Sequence, residues 1–305
     1  MAPRLFRLDL LIAAPSDPGG LPGWGDYHFA RALMRAFARR GVACRLLFRD
    51  TCRQWAAPAP DRLLLVLRGK FRPEQEWLQA MAYRQKLLWL ISWPDDLLAE
   101  ELPVYDRIYV ASRADLPRVA GMGCVPCQHL LQASEFSLEG PPRPARGGLL
   151  FVGNCRDRPR PLVAAFHAAG LRLALFGQGW AEHGIPARGG QIANAALPLL
   201  YRRSLAVLND HQPAMRQHGY LSNRVYDVLA CGVPVITDGV ADCPEELRPA
   251  LVEHGEGADP LESLEQVVRL RSDRHLLRQV ALRVHHEHSF DARVRTLLSD
   301  LGAPG

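Results

Sequence analysis

The sequence predicts an α/β fold built from two doubly wound, parallel-sheet domains. Three observations carry this. Short apolar runs alternate with segments of helical period along the chain, as expected of parallel strands joined by crossover helices. The 305 residues suit two domains of roughly 150 residues each. Between them, Ser137-Leu-Glu-Gly-Pro-Pro-Arg-Pro-Ala-Arg-Gly-Gly148 is rich in proline and glycine and has no period, after which the alternation restarts. The expected division is a Rossmann-like domain over 1–136, a linker over 137–148 and a second Rossmann-like domain over 149–287. The segment 288–305 is expected to be a helix returning to the first domain.

The elements follow in order. Leu5–Ala13 reads as a buried opening strand; its apolar stretch is shorter than a secretory core and runs directly into Pro15-Ser-Asp17. Tyr27–Arg40 is amphipathic and ends at Gly41, a helix stop. Ala43–Phe48 and Arg62–Leu67 are strands, Pro73–Tyr83 a helix and Lys86–Ser92 a strand. Asp96–Leu102 is a short helix, Arg107–Ser112 a strand, Ala114–Ala120 a helix and Val125–Leu131 the last strand of the first half. In the second half Leu149–Val152 and Arg172–Phe176 are strands flanking a helix at Pro161–Ala169. Leu261–Leu270, Leu276–Glu287 and Phe290–Leu301 have helical spacing.

Composition bounds the function. Hydrophobic content of 48% supports substantial cores, and the net charge of +5 is carried almost wholly by arginine, since Lys70 and Lys86 are the only lysines. Arginine forks suit phosphate and carboxylate. They are scattered rather than packed in runs, which argues against nucleic acid as a partner. No stretch approaches the ~20 apolar residues of a membrane span, so a cytoplasmic enzyme is expected, with peripheral contact at the inner membrane face left open. Seven cysteines form no framework, and Cys124-Val-Pro-Cys127 lacks a second pair, so thiols buried in a reducing compartment are expected. His285, His286 and His288 show no carboxylate or cysteine partner at ligand spacing, and no DxD precedes a suitable strand. Neither a metal nor a cofactor is expected.

The most informative stretch is residues 204–236, SLAVLNDHQPAMRQHGYLSNRVYDVLACGVPVI. Ser204–Leu208 is a buried strand and Ser222 a capping residue. Val225, Val228 and Leu229 fall at helical spacing, Gly232 closes the helix and Val233–Ile236 is a second buried strand. A loop entering such a helix offers backbone N–H groups and the positive end of a dipole, a place for phosphate. Asn223 would hydrogen-bond there, Arg224 neutralise a diphosphate and Asp227 accept from ribose hydroxyls.

Three other constellations sit at strand-to-loop junctions. Pro18-Gly-Gly-Leu-Pro-Gly-Trp-Gly-Asp-Tyr-His28 contains four glycines, including Gly25, that permit tight turns and close backbone approach. Asp26 and His28 open the helix after it, Asp26 as helix cap or as catalytic group. Gly153-Asn-Cys-Arg-Asp-Arg-Pro-Arg160 follows the first strand of the second half; Gly153 and Asn154 leave room, while Arg156 and Arg158 are forks for a diphosphate. Phe176-Gly-Gln-Gly-Trp180 contributes Gly177 and Trp180, an aromatic that either stacks on a ligand or packs the domain.

These residues carry a resemblance. NDHQPAM followed by SNRVYDVLACGVPVITDGVADCPEEL is similar to the donor-site segment of bacterial GT-B-fold glycosyltransferases, in the group-1-like branch that includes spore-maturation-type proteins. WGDYHFA, the Gly153-Asn loop, FGQGW and Ser289-Phe-Asp-Ala-Arg293 resemble further segments of that family. The resemblance implies a GT-B fold whose two domains face across a cleft, with a nucleotide-sugar donor on the second. It implies that Asp227 binds the ribose and that Trp180 borders the base. The large retaining group has a second acidic residue eight positions before the one at 227; here that position is Gly219.

The expected function is glycosyl transfer from a nucleotide-activated sugar to a hydroxyl of a glycan, lipid-linked or other acceptor, in cell-surface glycan or polysaccharide synthesis. Asp26 is the expected base if the reaction inverts, with His28 beside it. If it retains, the leaving phosphate takes the proton. A non-catalytic nucleotide-sugar-binding protein and a nucleotide-sugar epimerase are the alternatives.

Overall fold

The structure, a computed structural model, describes residues 6–54, 61–140, 145–155, 160–239 and 241–302. Its strands are β1 (Arg7–Ile12), β2 (Ala43–Phe48), β3 (Arg62–Arg68), β4 (Gln85–Leu90), β5 (Arg107–Val110), β6 (Cys127–His129), β7 (Leu149–Val152), β8 (Leu173–Phe176), β9 (Ala206–Asn209), β10 (Val235–Thr237) and β11 (Leu251–Glu253). The helices are α1 (Gly25–Arg39), α2 (Gln75–Ala80), α3 (Leu116–Ala120), α4 (Pro161–Ala168), α5 (Leu197–Arg203), α6 (Pro213–Gln217), α7 (Asn223–Ala230), α8 (Pro260–Ser272), α9 (Arg274–Glu287) and α10 (Phe290–Asp300). All strand pairings are parallel, in a six-stranded sheet ordered β2-β1-β3-β4-β5-β6 and a five-stranded sheet ordered β11-β10-β9-β7-β8.

The chain divides into two compact units. The first extends to Gln132 and takes in Pro213–Tyr220 and the chain from Phe290; the second comprises Ala133–Gln212 and Leu221–Ser289. The middle strand β3 is buried from Leu63 to Arg68 because helices cover both faces of its sheet. Helix α1 buries Phe29, Ala30, Leu33, Ala36 and Phe37 at helical spacing. Phe29 meets Trp89 of β4 edge-on at 5.2 Å and Phe290 of α10 at 4.7 Å, so α1 is packed between its sheet and the C-terminal helix. Arg39 adds a forked pair to Asp291 at 2.9 and 2.6 Å. Met215 and Tyr220 join the core of this unit. Here Tyr220 donates to Asp115 at 2.7 Å, and His218 lies between Asp95 (2.8 Å) and Asp115 (3.1 Å).

Asp9 is an aspartate in the middle of an apolar strand, 0% exposed. The register sets it opposite Arg45 of β2. Its carboxylate accepts from Arg45 (Nε at 3.1 Å, and also Nη2), from Arg62 (2.7 Å) and from the Tyr83 hydroxyl (2.9 Å). Removing one member of such a group strands the others' charge. Asp9→Ala should therefore destabilise the fold by roughly 3–5 kcal/mol, read as a lowered denaturation midpoint, whereas a loss under about 1 kcal/mol would show the cluster to be solvated.

Some elements differ from expectation. The helix expected over Pro73–Tyr83 shrinks to α2, and that over Asp96–Leu102 resolves into two 3-10 turns, Pro94–Asp96 and Ala99–Val104. A proline begins one turn and interrupts the other, which prevents a regular helix. The short elements α5, α6 and β11 had no periodic signal long enough to register.

Candidate functional site

In the second unit, the carboxyl ends of β7, β9 and β10 and the start of α7 form one polar rim, the edge at which parallel sheets bind ligands. Ser222 precedes α7 as expected but does not cap it: its hydroxyl donates instead to Asn209 Oδ1 at 2.7 Å, at the end of β9. The Ser222 N–H donates to His211 Nε2 at 3.1 Å. An amide can only donate, so Nδ1 carries the imidazole proton and gives it to Asp238 Oδ1 at 2.7 Å. Asp238 Oδ2 also accepts the His211 N–H at 2.9 Å. The entry to α7 is thereby fixed to the strands that flank it.

Three predicted residues share the first turns of α7. Asp227 Oδ1 accepts from Ser134 Oγ at 2.6 Å, and Oδ2 from Asn223 Nδ2 at 2.7 Å. Burial raises its pKa to about 7 despite these bonds. Asn223 Oδ1 is buried without a partner among the described residues. Arg224 turns back toward β7: Nη2 donates to the Val152 carbonyl at 2.7 Å, Nη1 lies 3.4 Å from Asn209 Oδ1, and the guanidinium stacks 5.0 Å from the Phe151 ring centre. No carboxylate among the described residues forms an ion pair with it.

The loops after β7 and β8 press together. Gly153 N–H donates to Phe176 O at 2.8 Å, Cys155 N–H to Gln178 O at 2.9 Å, and Gln178 N–H to Asn154 Oδ1 at 3.0 Å. At Gly153 a Cβ would stand 3.0 Å from the Phe151 ring and 3.2 Å from Arg224 Nη2. Gly177 has φ 136°, and a Cβ there would lie 2.1 Å from the Gly153 carbonyl oxygen. Gly177→Ala should thus cost at least about 1–3 kcal/mol of stability; an unchanged midpoint would show that the two loops part freely. Trp180 corrects one of the two roles expected for it. It is 1% exposed, packs edge-on to Phe151 at 5.6 Å and donates its indole N–H to Gly153 O at 2.9 Å. The indole is a core residue that ties the loop down, not a ring open to a base. Arg156 and Arg158 lie outside the described residues.

Several polar residues of this rim were not anticipated. Asp210 is 4% exposed; its Oδ1 lies 3.4 Å from Arg160, its Oδ2 has no partner among the described residues, and burial raises its pKa to about 6. Asn209, His211 and Asp238 also belong here. The available signal was a run of polar residues directly after each apolar strand. Ser134 carried no such signal.

In the first unit, Asp26 stands in the first turn of α1, whose cap position is Trp24. Asp26 Oδ2 accepts the Ala14 N–H at 3.0 Å, just past β1, and Oδ1 is buried without a partner among the described residues. Burial raises its pKa above the ordinary aspartate value. His28 Nε2 lies 3.0 Å from the Pro22 carbonyl and so ties the preceding loop to α1. None of the four loop glycines has a positive φ. The turn is made instead by Asp17, which accepts from Gly19 N (3.2 Å) and Gly20 N (2.8 Å). A Cβ at Gly25 would meet nothing within 4 Å.

The C-terminal histidines also correct an expectation. His288 does have carboxylate neighbours: its Nε2 lies 2.9 Å from Glu246 Oε1, and one ligand atom each of Glu246, Glu287 and His288 falls within 4.8 Å of the others. Glu287 is also paired with Arg283 at 2.5 Å. Glu246 comes from a loop some forty residues away, beyond the reach of spacing arguments.

A family model described as "Glycosyl transferase-like" matches residues 156–299, a little under half of the chain. No curated protein matches the chain by sequence. Among solved structures, the fold is similar to AviGT4, a glycosyltransferase of avilamycin A biosynthesis, with TM-score 0.66, 16% identity and 96% of each chain covered. It is similar to an alpha-glucosyltransferase in complex with UDP and a 13-mer DNA, with TM-score 0.68, 12% identity, and 97% of this chain and 99% of that chain covered. It is also similar to HepE of Anabaena in complex with UDP and glucose, with TM-score 0.59, 10% identity and the same coverage. At these identities the likeness is one of fold: two parallel-strand α/β sheets, the GT-B fold of these glycosyltransferases.

Proposed function

We propose that the protein is a glycosyltransferase that takes a sugar from a nucleotide-activated donor held on the second unit. The observation that carries this is the placement, at the start of α7, of an Arg224 guanidinium that has no carboxylate partner among the described residues and of an Asp227 carboxyl held by Ser134 and Asn223. The first suits a diphosphate and the second a ribose diol. Gly153, Asn154 and Gly177 shape the adjoining loops, and Ser222 and Asn223 supply polar groups at the helix start. Arg156 and Arg158 are proposed as further diphosphate forks. Neighbours of the same fold were solved with UDP, which supports a uridine nucleotide as the first donor to try.

The acceptor hydroxyl is proposed to meet Asp26, whose buried carboxyl can take its proton as the bond to the anomeric carbon forms. Catalysis would rest on orientation and on stabilising the leaving diphosphate with arginine and the α7 dipole, without a metal. We place the acceptor among glycans or lipid-linked hydroxyls, in a cytoplasmic pathway of surface polysaccharide synthesis. A spore-maturation-like affiliation is part of the same proposal. A DNA acceptor, as bound by one neighbour, is disfavoured by the scattered arginines. Among the described residues no helix is long and apolar enough to cross a membrane.

One observation favours a second reading, a nucleotide-sugar-binding protein without transfer. Position 219 has φ 74°, a backbone that demands glycine, so no acidic residue can stand there without strain. Thermal stabilisation across a nucleotide panel, followed by product mass with UDP-sugars, tests both readings. Stabilisation by UDP with release of UDP and a glycosylated acceptor is expected. Binding without release would leave only the second reading, and no nucleotide binding would remove both.

A further inference from the structure

Two loops at the carboxyl edge of the first unit's sheet are held firmly, and each carries a side chain that is not fully buried, Lys70 and Trp93. β3 ends in Arg68, which is 1% exposed. Its guanidinium meets both oxygens of buried Glu101, at 3.0 and 2.9 Å, and donates to the carbonyls of Gly69 and, at 2.7 Å, of Asp96. Gly69 follows β3 and Asp96 lies in the loop after β4, so a single buried ion pair fixes both loops. Such pairs contribute little net stability, and fixing geometry is their better-attested use. The second loop has further anchors: Arg118 Nη2 reaches the Pro94 carbonyl at 3.1 Å, and His218 Nε2 lies 2.8 Å from Asp95 Oδ1.

Within this loop Trp93 has φ 57° and ψ 51°, the one non-glycine residue with positive φ among the described residues. A bulky residue in that region is rare. Standing directly before a proline makes it more costly still, since proline disfavours the helical regions for its predecessor. The strain persists because the anchors over-determine it, and strain of this kind concentrates at ligand clamps. The indole is partly buried, with Lys70 Nζ 5.2 Å from the ring centre. Lys70 is exposed and is one of two lysines in an arginine-rich chain. β3 lies between β1 and β4, so neighbouring strand ends carry, in order, the loop leading to Asp26, Lys70 and Trp93.

We propose that Trp93 and Lys70 form a subsite for an anionic saccharide. The indole offers a fixed flat face for the C–H side of a sugar ring, and the ammonium pairs with a carboxylate or phosphate on it. Resting on the glycosyltransferase reading, that saccharide is the acceptor, whose hydroxyl is delivered to Asp26.

The test is titration of the full-length protein, observed at the indole N–H resonances. The probes are 6′-sialyllactose against lactose and glucose 6-phosphate against glucose, with the Trp93 signal assigned from Trp93→Phe. Both anionic probes are expected to shift the Trp93 resonance saturably and to bind more tightly than their neutral counterparts. Lys70→Ala, a change at an exposed side chain, should weaken the anionic probes by about tenfold or more, the loss of one charge-assisted bond, and leave the neutral ones unaffected. Equal binding of charged and neutral sugars, an unmoved Trp93 signal or an indifferent Lys70→Ala would overturn the subsite. UDP affinity and UDP-sugar turnover are read on the same samples. Saccharide binding without turnover would sustain the subsite and sink the transfer reading, and turnover without saccharide binding would do the reverse.

Discussion

Asp26→Ala is expected to lower sugar transfer by ~100–10,000-fold, the usual worth of a positioned acid–base group, with nucleotide affinity unchanged. The residues proposed to hold the donor belong to the second unit, whereas Asp26 belongs to the first. Stability separates this from a structural role. A helix cap would cost about 0.5–2 kcal/mol on removal, but the cap position of α1 is Trp24 and the Asp26 carboxylate accepts from Ala14 instead. Its pKa is raised in the folded state. The charged form is therefore disfavoured by folding, and the penalty grows as pH rises above the ordinary aspartate value of 3.8. Removing the carboxyl should leave the melting temperature unchanged or higher at neutral pH and give no such gain near pH 4. Turnover and melting measured on one preparation decide the matter: normal turnover per folded molecule would exclude Asp26 as the base.

Asp227→Asn should separate binding from stability in opposite directions. Losing a charge-assisted bond to ribose should weaken UDP by roughly 1.5–3 kcal/mol, about 10- to 150-fold. The fold should tolerate the change, because asparagine keeps an oxygen for Ser134 and its amide can face Asn223 once that side chain turns its unpartnered Oδ1 inward. The sign of the pH effect follows from the raised pKa. Below the ordinary value of 3.8 the carboxyl is protonated folded or unfolded; as pH climbs to about 7 the folded state must hold a charge it disfavours. Wild type should thus lose stability relative to the variant between about pH 4 and 7, by at most ~4 kcal/mol, with the difference constant above. Wild-type UDP affinity should rise relative to the variant's through the same upper limit, the ionisation of UDP itself being common to both. Unaltered UDP affinity in the variant would remove Asp227 from the donor site.

Most of the architecture was legible because parallel sheets leave long, regular signals. β2 and β7 fall on their expected residues, and α1, α8, α9 and α10 lie within a few residues of theirs. Elements of three to seven residues, α5, α6 and β11, present too few turns or alternations for a period to be read. The start of α7 could be located from Ser222, Gly232 and the apolar spacing between them, but side-chain direction could not. Ser222 bonds to Asn209 at the end of β9 rather than to its own helix. Arg224 folds back on β7, and Trp180 is drawn into the core; both are outcomes of packing between loops distant in sequence. Ser134, 93 residues from Asp227, and the left-handed backbone of Trp93 are likewise products of tertiary context.

The membership of α10 in the first unit bears on how the protein is made. Arg293 donates to the carbonyls of Leu131 (2.7 Å) and Gln132 (2.9 Å), at the far end of the sheet's last strand. It is synthesised 162 residues after Leu131, and Phe290, which covers Phe29, only just before it. At roughly 5–20 residues per second, the first sheet emerges from the ribosome on the order of ten to thirty seconds before its last apolar cover exists. Throughout that interval α1 presents the face that α10 will occupy, and the segment carrying Met215 and Tyr220 arrives partway through. The nascent first unit is thus incomplete, with the apolar face of α1 uncovered until α10 is made.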